Sequence, residues 1–493
     1  MNEIPNNLLN RRKFIGDLSL ASLSILSSSL LLGGCEDFFD AIRNRPVRRM
    51  LRNTTEGNQA RDIYRQAVGL MKQLQIDHPT DRRGWLNQAN IHRDFCPHQN
   101  WFFFPWHRIY LFELEKICRK LTGESTFGLP YWNWSADGHV PDGYLDNIPS
   151  NFLYHDRAVN AASVASSAAV GLSHVDGFCN EPDFTLFAGG STGVLRQRVS
   201  FGNIEATPHN YIHGSFILRD MGNTNTAARD PIFYNHHCMV DLCWYERNVT
   251  RNFPNTNDTA WANFNFGNMF CDEDGNLIPD ITTLATLLMP IFSYRYETGI
   301  SGTEPAALRM MKSEKEFKRA EEIIKKGADT RMVIKSRFNL KKAVSVNTDK
   351  PSSEVIEMNT DDFSRVVNSD VRERAILSIK GLSDPPENSI FLRVFINKED
   401  ANKSTSTDDP HYAGSFYFFA HNGHENMDQK KPDLLVDITG TLRKIRPEIK
   451  DTKNVKITLI AVPINEGQAQ NVTIFAEDIE ILISPVTVKL MEL

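Results

Sequence analysis

Between Cys96 and Arg108 the chain reads CPHQNWFFFPWHR, with five aromatic residues, two prolines and two histidines in thirteen positions. A run that apolar belongs in a core. Yet a histidine stands near each end of it, and a cysteine lies two residues before the first. Any fold open to this chain must bury the run and give its imidazoles a task. Of the 14 histidines, ten fall between His92 and His237, so the task belongs to one region.

A second concentration is simpler to read. In EATPHNYIHGS, His209 and His213 stand four apart and share one face of a helix. Pro208 sits just ahead, where a first helical turn tolerates proline. In DPIFYNHHCMVD, Asp230-Pro231 signals a helix start and puts His236 and His237 near the second turn. The first set offers His92, His98 and His107. His98 and His107 are half a turn out of phase on a single helix. The spacing therefore predicts His98 on a loop that enters a helix holding His107, with Pro105 at the bend or start.

Two sets of imidazoles without thiols at ligand spacing suit a metal that favours nitrogen. Copper, zinc, iron and nickel all qualify. A structural zinc site usually has thiolates and closes at four ligands. Two three-coordinate sites, each with an open position, fit two coppers holding dioxygen between them, but spacing does not separate copper from zinc. A histidine outside such sets is ordinarily a hydrogen-bonded core or surface residue. That reading applies to His78, His139, His155, His174, His411, His421 and His424.

The remaining chain divides by pattern. Residues 1–35 read as a targeting segment: NRRKFI, an apolar run over Leu18–Leu32, then LGGC ending at Cys35. The run is short of the ~20 residues a spanning helix needs. It resembles a twin-arginine signal joined to a bacterial lipobox. That resemblance implies export of a folded protein by the twin-arginine machinery, cleavage before Cys35, and lipidation of its thiol as a membrane tether. Residues 36–55 read as a tether and 56–300 as a mainly helical metal-binding domain with long loops. Residues 301–340 are a charged linker, and 341–493 an antiparallel β-sandwich, since the apolar period switches to two. Seven scattered cysteines form no disulfide framework. A net charge of -6 offers no basic surface for nucleic acid.

The stretches IHRDFCPHQNWFFFPWHRIYLFELE, LPYWNW, EATPHNYIHG, DMGN…ARDPIFYNHHCMVD and YRY, in that order, resemble the tyrosinase/polyphenol oxidase/haemocyanin family of type-3 copper proteins. The resemblance implies a four-helix bundle holding two copper ions. His92, His98 and His107 would bind one, and His209, His213 and His237 the other, with His236 a neighbour. It further implies a thioether from Cys96 to His98, a water held by Glu205, and an Asn210 that helps that water act as a base. Thr224 stands where plant enzymes of the family carry a phenylalanine gate. The implied activity is oxidation of o-diphenols to o-quinones by dioxygen, with ortho-hydroxylation of monophenols. The alternative is a haemocyanin-like dioxygen-binding protein, or a latent enzyme sealed by its C-terminal domain. The C-terminal strands, DPHYAGSFYFFAHN among them, also resemble family β-domains, which can cover the copper entrance.

Overall fold

The computed structural model describes residues 44–303, 332–368, 373–386, 389–419, 430–449, 453–464 and 471–485. The targeting segment with Cys35, part of the tether, most of the charged linker, and His421 and His424 lie outside the described residues.

The helical domain is built on four long elements. Helix α1 (Thr55–Asp77) starts where the Thr54 hydroxyl accepts the Gly57 N–H, and buries Tyr64, Ala67, Val68 and Met71 on one stripe. Helix α2 (Trp85–Phe95) stops because Pro97 holds Cys96 extended at φ -62°, ψ 132°. Helix α3 (Phe103–Thr122) takes Pro105 in its first turn and ends on Gly123 at φ 76°, a left-handed cap that favours glycine. Helix α4 (Ile232–Tyr245) is buried at every position, as its apolar composition requires.

The segment carrying His209 and His213 departs from the sequence expectation. It is π-helical over Glu205–His209 and Ile212–Ile217, with Pro208 inside the helix rather than at its start. Proline has no N–H to complete the α ladder, and the wider π turn accommodates that loss.

A small parallel sheet closes this domain. Strand β1 (Val47–Met50) lies between β2 (Phe127–Tyr131) and β3 (Arg295–Tyr296). The YRY stretch thereby returns to the start of the domain. The end of the expected tether is thus a paired strand, because its backbone finds partners on both sides. Arg48, fully buried, bonds Glu115 at 3.0 Å, Asp241 at 3.1 Å and the Tyr296 hydroxyl at 3.1 Å, and stacks on Tyr294. Asp241 also takes Arg108 at 2.5 Å and the hydroxyls of Tyr294 and Tyr296 at 2.7 and 2.6 Å. Acidic groups on α3 and α4, the helices that carry His107 and His237, thus neutralise two buried guanidinium groups.

The C-terminal domain is the expected antiparallel sandwich. One sheet runs β10 (Leu434–Asp437), β7 (Glu373–Lys380), β13 (Asp478–Pro485), β4 (Ser336–Asn339); the other runs β6 (Ser352–Glu357), β11 (Asn454–Pro463), β8 (Ile390–Ile396), β9 (Tyr412–Tyr417). Strand β4 falls within the stretch read as linker, and pairs along β13 as an edge strand. Leu377, Ile379 and Ile481 meet Leu392, Val394 and Ile457 in one core. A third, two-stranded sheet pairs β5 (Val344–Asn347) with β12 (Thr473–Ala476). Strand β10 is shorter than its apolar stretch suggests, because Thr439–Ile445 turns into a helix.

The two domains exchange apolar side chains. Phe201 and Ala206 of the helical domain lie in the sandwich core, while Tyr417 and Phe419 lie in the helical core. Backbone bonds join them as well: Phe201 N–H reaches the Asp433 carbonyl at 3.1 Å, and Asp433 N–H the Val199 carbonyl at 2.8 Å. Arg374 pairs with Glu181, and Arg198 with Asp384, each at 2.7 Å.

Candidate metal centre

The aromatic run is core, as its composition demands, and it forms the wall of a histidine site. Phe103 packs between His107 and His209, with ring centres 4.8 and 4.9 Å away. Phe233 on α4 lies 4.8 Å from His92 and 4.3 Å from His237. His92 comes from α2, His98 from the loop after it, and His107 from α3, as the spacing predicts. Their ring centres are 5.6 to 5.8 Å apart. His209, His213 and His237 form a second triangle, with ring centres 4.5 to 5.5 Å apart. The two triangles meet where His107 stacks on His237 at 4.2 Å.

Hydrogen bonds orient the rings. The Nδ1–H groups of His92, His107 and His213 donate to the carbonyls of Thr224, Phe103 and Met221 at 2.9, 2.8 and 2.7 Å. His209 Nδ1–H donates to Asn210 Oδ1 at 2.9 Å. Each bond holds the proton on Nδ1 and the lone pair on Nε2, the tautomer that metal-binding histidines use. Nε2 of His107 and of His209 is buried with no hydrogen-bond partner among the described residues, and the Nε2 atoms of His213 and His237 converge to 3.3 Å. Burial and neighbouring imidazoles hold the basicity of His107, His213 and His237 well below the usual range; burial brings His209 to about 3. Neutral imidazoles are the form that binds a metal.

Donor atoms of His209, His213, His236 and His237 all lie within 4.8 Å of one another, as do those of His92, Cys96 and His98. The all-imidazole set of the two triangles suits copper. Cys96 joins the first group because its Sγ lies 3.6 Å from His98 Nδ1. His107 falls outside that tight group and completes its triangle through its ring position.

Glu205 is buried, and both carboxylate oxygens lie 2.9 Å from the Gln99 backbone nitrogen. Burial raises its pKa to about 8 against the opposing pull of the Gln99 N–H and Arg198. Gln99 adopts a left-handed backbone, φ 59°, directly after His98, and its N–H points at Glu205. Asn210 uses its amide twice: Oδ1 on His209, and Nδ2 on the Tyr417 carbonyl of β9 at 2.8 Å. Thr224 is fully buried, and its carbonyl orients His92.

The ring that lies over both histidine sets is Phe419, just after β9. It stacks on His213 at 4.3 Å and stands 5.4 Å from His98 and 5.7 Å from His209. Nothing in the sequence singles it out. It lies in the run SFYFF, whose resemblance to family β-domains implies a cover over the copper entrance without saying which side chain provides it. Gln99 leaves no sequence signal either, since it acts through a backbone N–H. Away from the two sets, histidines take ordinary roles: His139 and His155 pair with Asp137 and Asp220, His174 packs on Phe178, and His411 donates to the Ile396 carbonyl.

Models of known families match both halves of the chain. The common central domain of tyrosinase matches residues 63–167 and 149–248, and the C-terminal domain of chloroplastic polyphenol oxidase matches residues 336–481. This chain belongs to the tyrosinase/polyphenol oxidase family. It is a type-3 copper oxidoreductase, a copper phenol oxidase. The latent form of the chloroplastic polyphenol oxidase of Prunus armeniaca is 27% identical over 464 residues, covering 83% of this chain and 72% of that protein. The chloroplastic (+)-larreatricin hydroxylase of Larrea tridentata is 24% identical over 449 residues, covering 82% and 73%. Latent apple tyrosinase shares the two-domain fold, with a TM-score of 0.62 at 23% identity over 89% of this chain and 97% of that one.

Proposed function

We propose that this polyphenol oxidase oxidises o-diphenols to o-quinones and hydroxylates monophenols, and that the intact chain is held latent by its C-terminal domain. The observation that carries latency is Phe419, whose ring packs against histidines of both sets. His92, His98 and His107 would hold one copper, and His209, His213 and His237 the other. When bound, the copper pair supplies dioxygen binding and the two-electron oxidation of a catechol.

The chain's own residues do the remainder. Phe103 and Phe233 exclude water around the imidazoles. Glu205 would hold a water, and Asn210 would polarise it toward a phenolic proton. In the closed chain the Asn210 Nδ2 is occupied by Tyr417, so opening the domain interface frees the base as well as the cleft. The contact between Cys96 and His98 supports the thioether, which would restrict the loop beside the first copper. The paired arginines and Cys35 support export and lipid anchoring in the cell envelope.

Oxygen uptake on catechol tests this reading. Copper-loaded Phe419→Gly in the full chain is expected to turn over faster than the parent by up to about a hundredfold, the worth in open population of the buried ring it removes. The sealed dioxygen carrier is the rival reading, favoured by the same ring. It wins if the variant oxygenates reversibly, with a near-ultraviolet band, and leaves catechol untouched.

A further inference from the structure

The stretch LPYWNW has no assigned part in the chemistry, and His236 is a fourth imidazole beside the second triangle. The structure joins the two. Strand β2 docks against α4 through Asn235, whose Nδ2 donates to the Pro130 carbonyl at 2.7 Å, and Trp132 N–H returns a bond to the Asn235 carbonyl at 3.1 Å. At the end of the same stretch, Trp134 Nε1 donates to His236 Nδ1 at 3.1 Å.

An indole N–H only donates, so His236 Nδ1 accepts and the ring's proton sits on Nε2. That is the opposite tautomer to His92, His107, His209 and His213, whose Nδ1–H groups donate and whose Nε2 atoms carry the lone pair. His236 Nε2 is fully buried and has no hydrogen-bond partner among the described residues. Its ring stands 4.8 Å from His213 and 5.3 Å from His209.

We propose that His236 is a hydrogen-bond donor to the oxygen of a phenolic substrate at the second metal position, and that Trp134 is the positioning residue that keeps the proton on Nε2. The proposal rests on the phenol-oxidase reading above. A donor there favours the ionised phenol, which is the form that must deliver electrons.

The test uses the full copper-loaded chain with Phe419→Gly as background and 4-nitrocatechol as the probe, read by absorbance. A background that fails to bind the probe would sink the phenol-oxidase reading, and this proposal with it. With the background binding, the two variants address His236 alone. His236→Phe is expected to keep two coppers per chain. It should weaken the probe about tenfold, the worth of one hydrogen bond to a charged acceptor, and raise the pH at which the bound probe ionises. Trp134→Phe keeps an aromatic ring and removes only the N–H; it should shift that pH in the same direction with both coppers retained. Loss of one copper in His236→Phe would make His236 a ligand and overturn the proposal. Unchanged affinity and ionisation in both variants would overturn it equally.

Discussion

At the residue scale, the decisive groups are polar side chains buried with few alternatives. Asp241 neutralises Arg48 and Arg108 and takes two tyrosine hydroxyls. Burial pushes its pKa up, but the two guanidinium groups and the hydroxyls outweigh that and hold the carboxyl below its usual range. Asp241→Asn would leave two guanidinium groups short of charge, at a cost of roughly 3–5 kcal/mol in denaturant unfolding. Glu205 is the opposite case. Its pKa is raised to about 8 in the folded chain, against about 4.3 in an unfolded one, so the native state loses stability as pH climbs between those values. In the metal-free protein, Glu205→Gln should therefore melt above the parent, and the gap should widen from about pH 5 to about pH 8. A constant gap across that window would count against a desolvated carboxyl at Glu205.

At the element scale, the π-helical segment and β9 act together. The segment presents His209 and His213, and β9 is bonded to it through the Thr207 hydroxyl on the Ser415 carbonyl at 3.2 Å and through Asn210 on Tyr417. Asn210 thus bridges a histidine of the second triangle and the closing strand. Asn210→Gly, tested with the domain interface opened by mild detergent, should depress monophenol hydroxylation more than catechol oxidation; an unchanged ratio of the two rates would remove Asn210 from the base.

At the scale of the whole molecule, latency rests on the interface as well as on the Phe419 ring. Burying a phenylalanine is worth about 2–3 kcal/mol, or roughly a hundredfold in population, so Phe419 alone would leave a measurable open fraction. The exchanged Phe201, Ala206 and Tyr417, the paired backbone at Asp433 and two ion pairs add to it. A protease cut within the charged linker should consequently leave the two parts associated on size exclusion and still slow on catechol. Activity should rise only when mild detergent separates them. Release of full activity by the cut alone would show that the covalent link, and not the interface, keeps the site closed.

The sequence by itself determined the elements and the grouping of the histidines. Helical period, Pro97, Pro105 and Gly123 set where α2 and α3 begin and end, and histidine spacing gathered the rings into two groups, with His237 chosen over His236 only by the family resemblance. These are local signals, written within one or two turns of chain. The left-handed Gln99, the Trp134 bond to His236 and the position of Phe419 were decided only in the tertiary structure. The partners of Gln99 and Trp134 lie 106 and 102 positions away, and the first is met through a backbone group that nearly every residue type carries, so no local pattern records either. Phe419 is the clearest instance: in sequence it is one more apolar residue in a strand, and it lies over the histidines because the sandwich docks there.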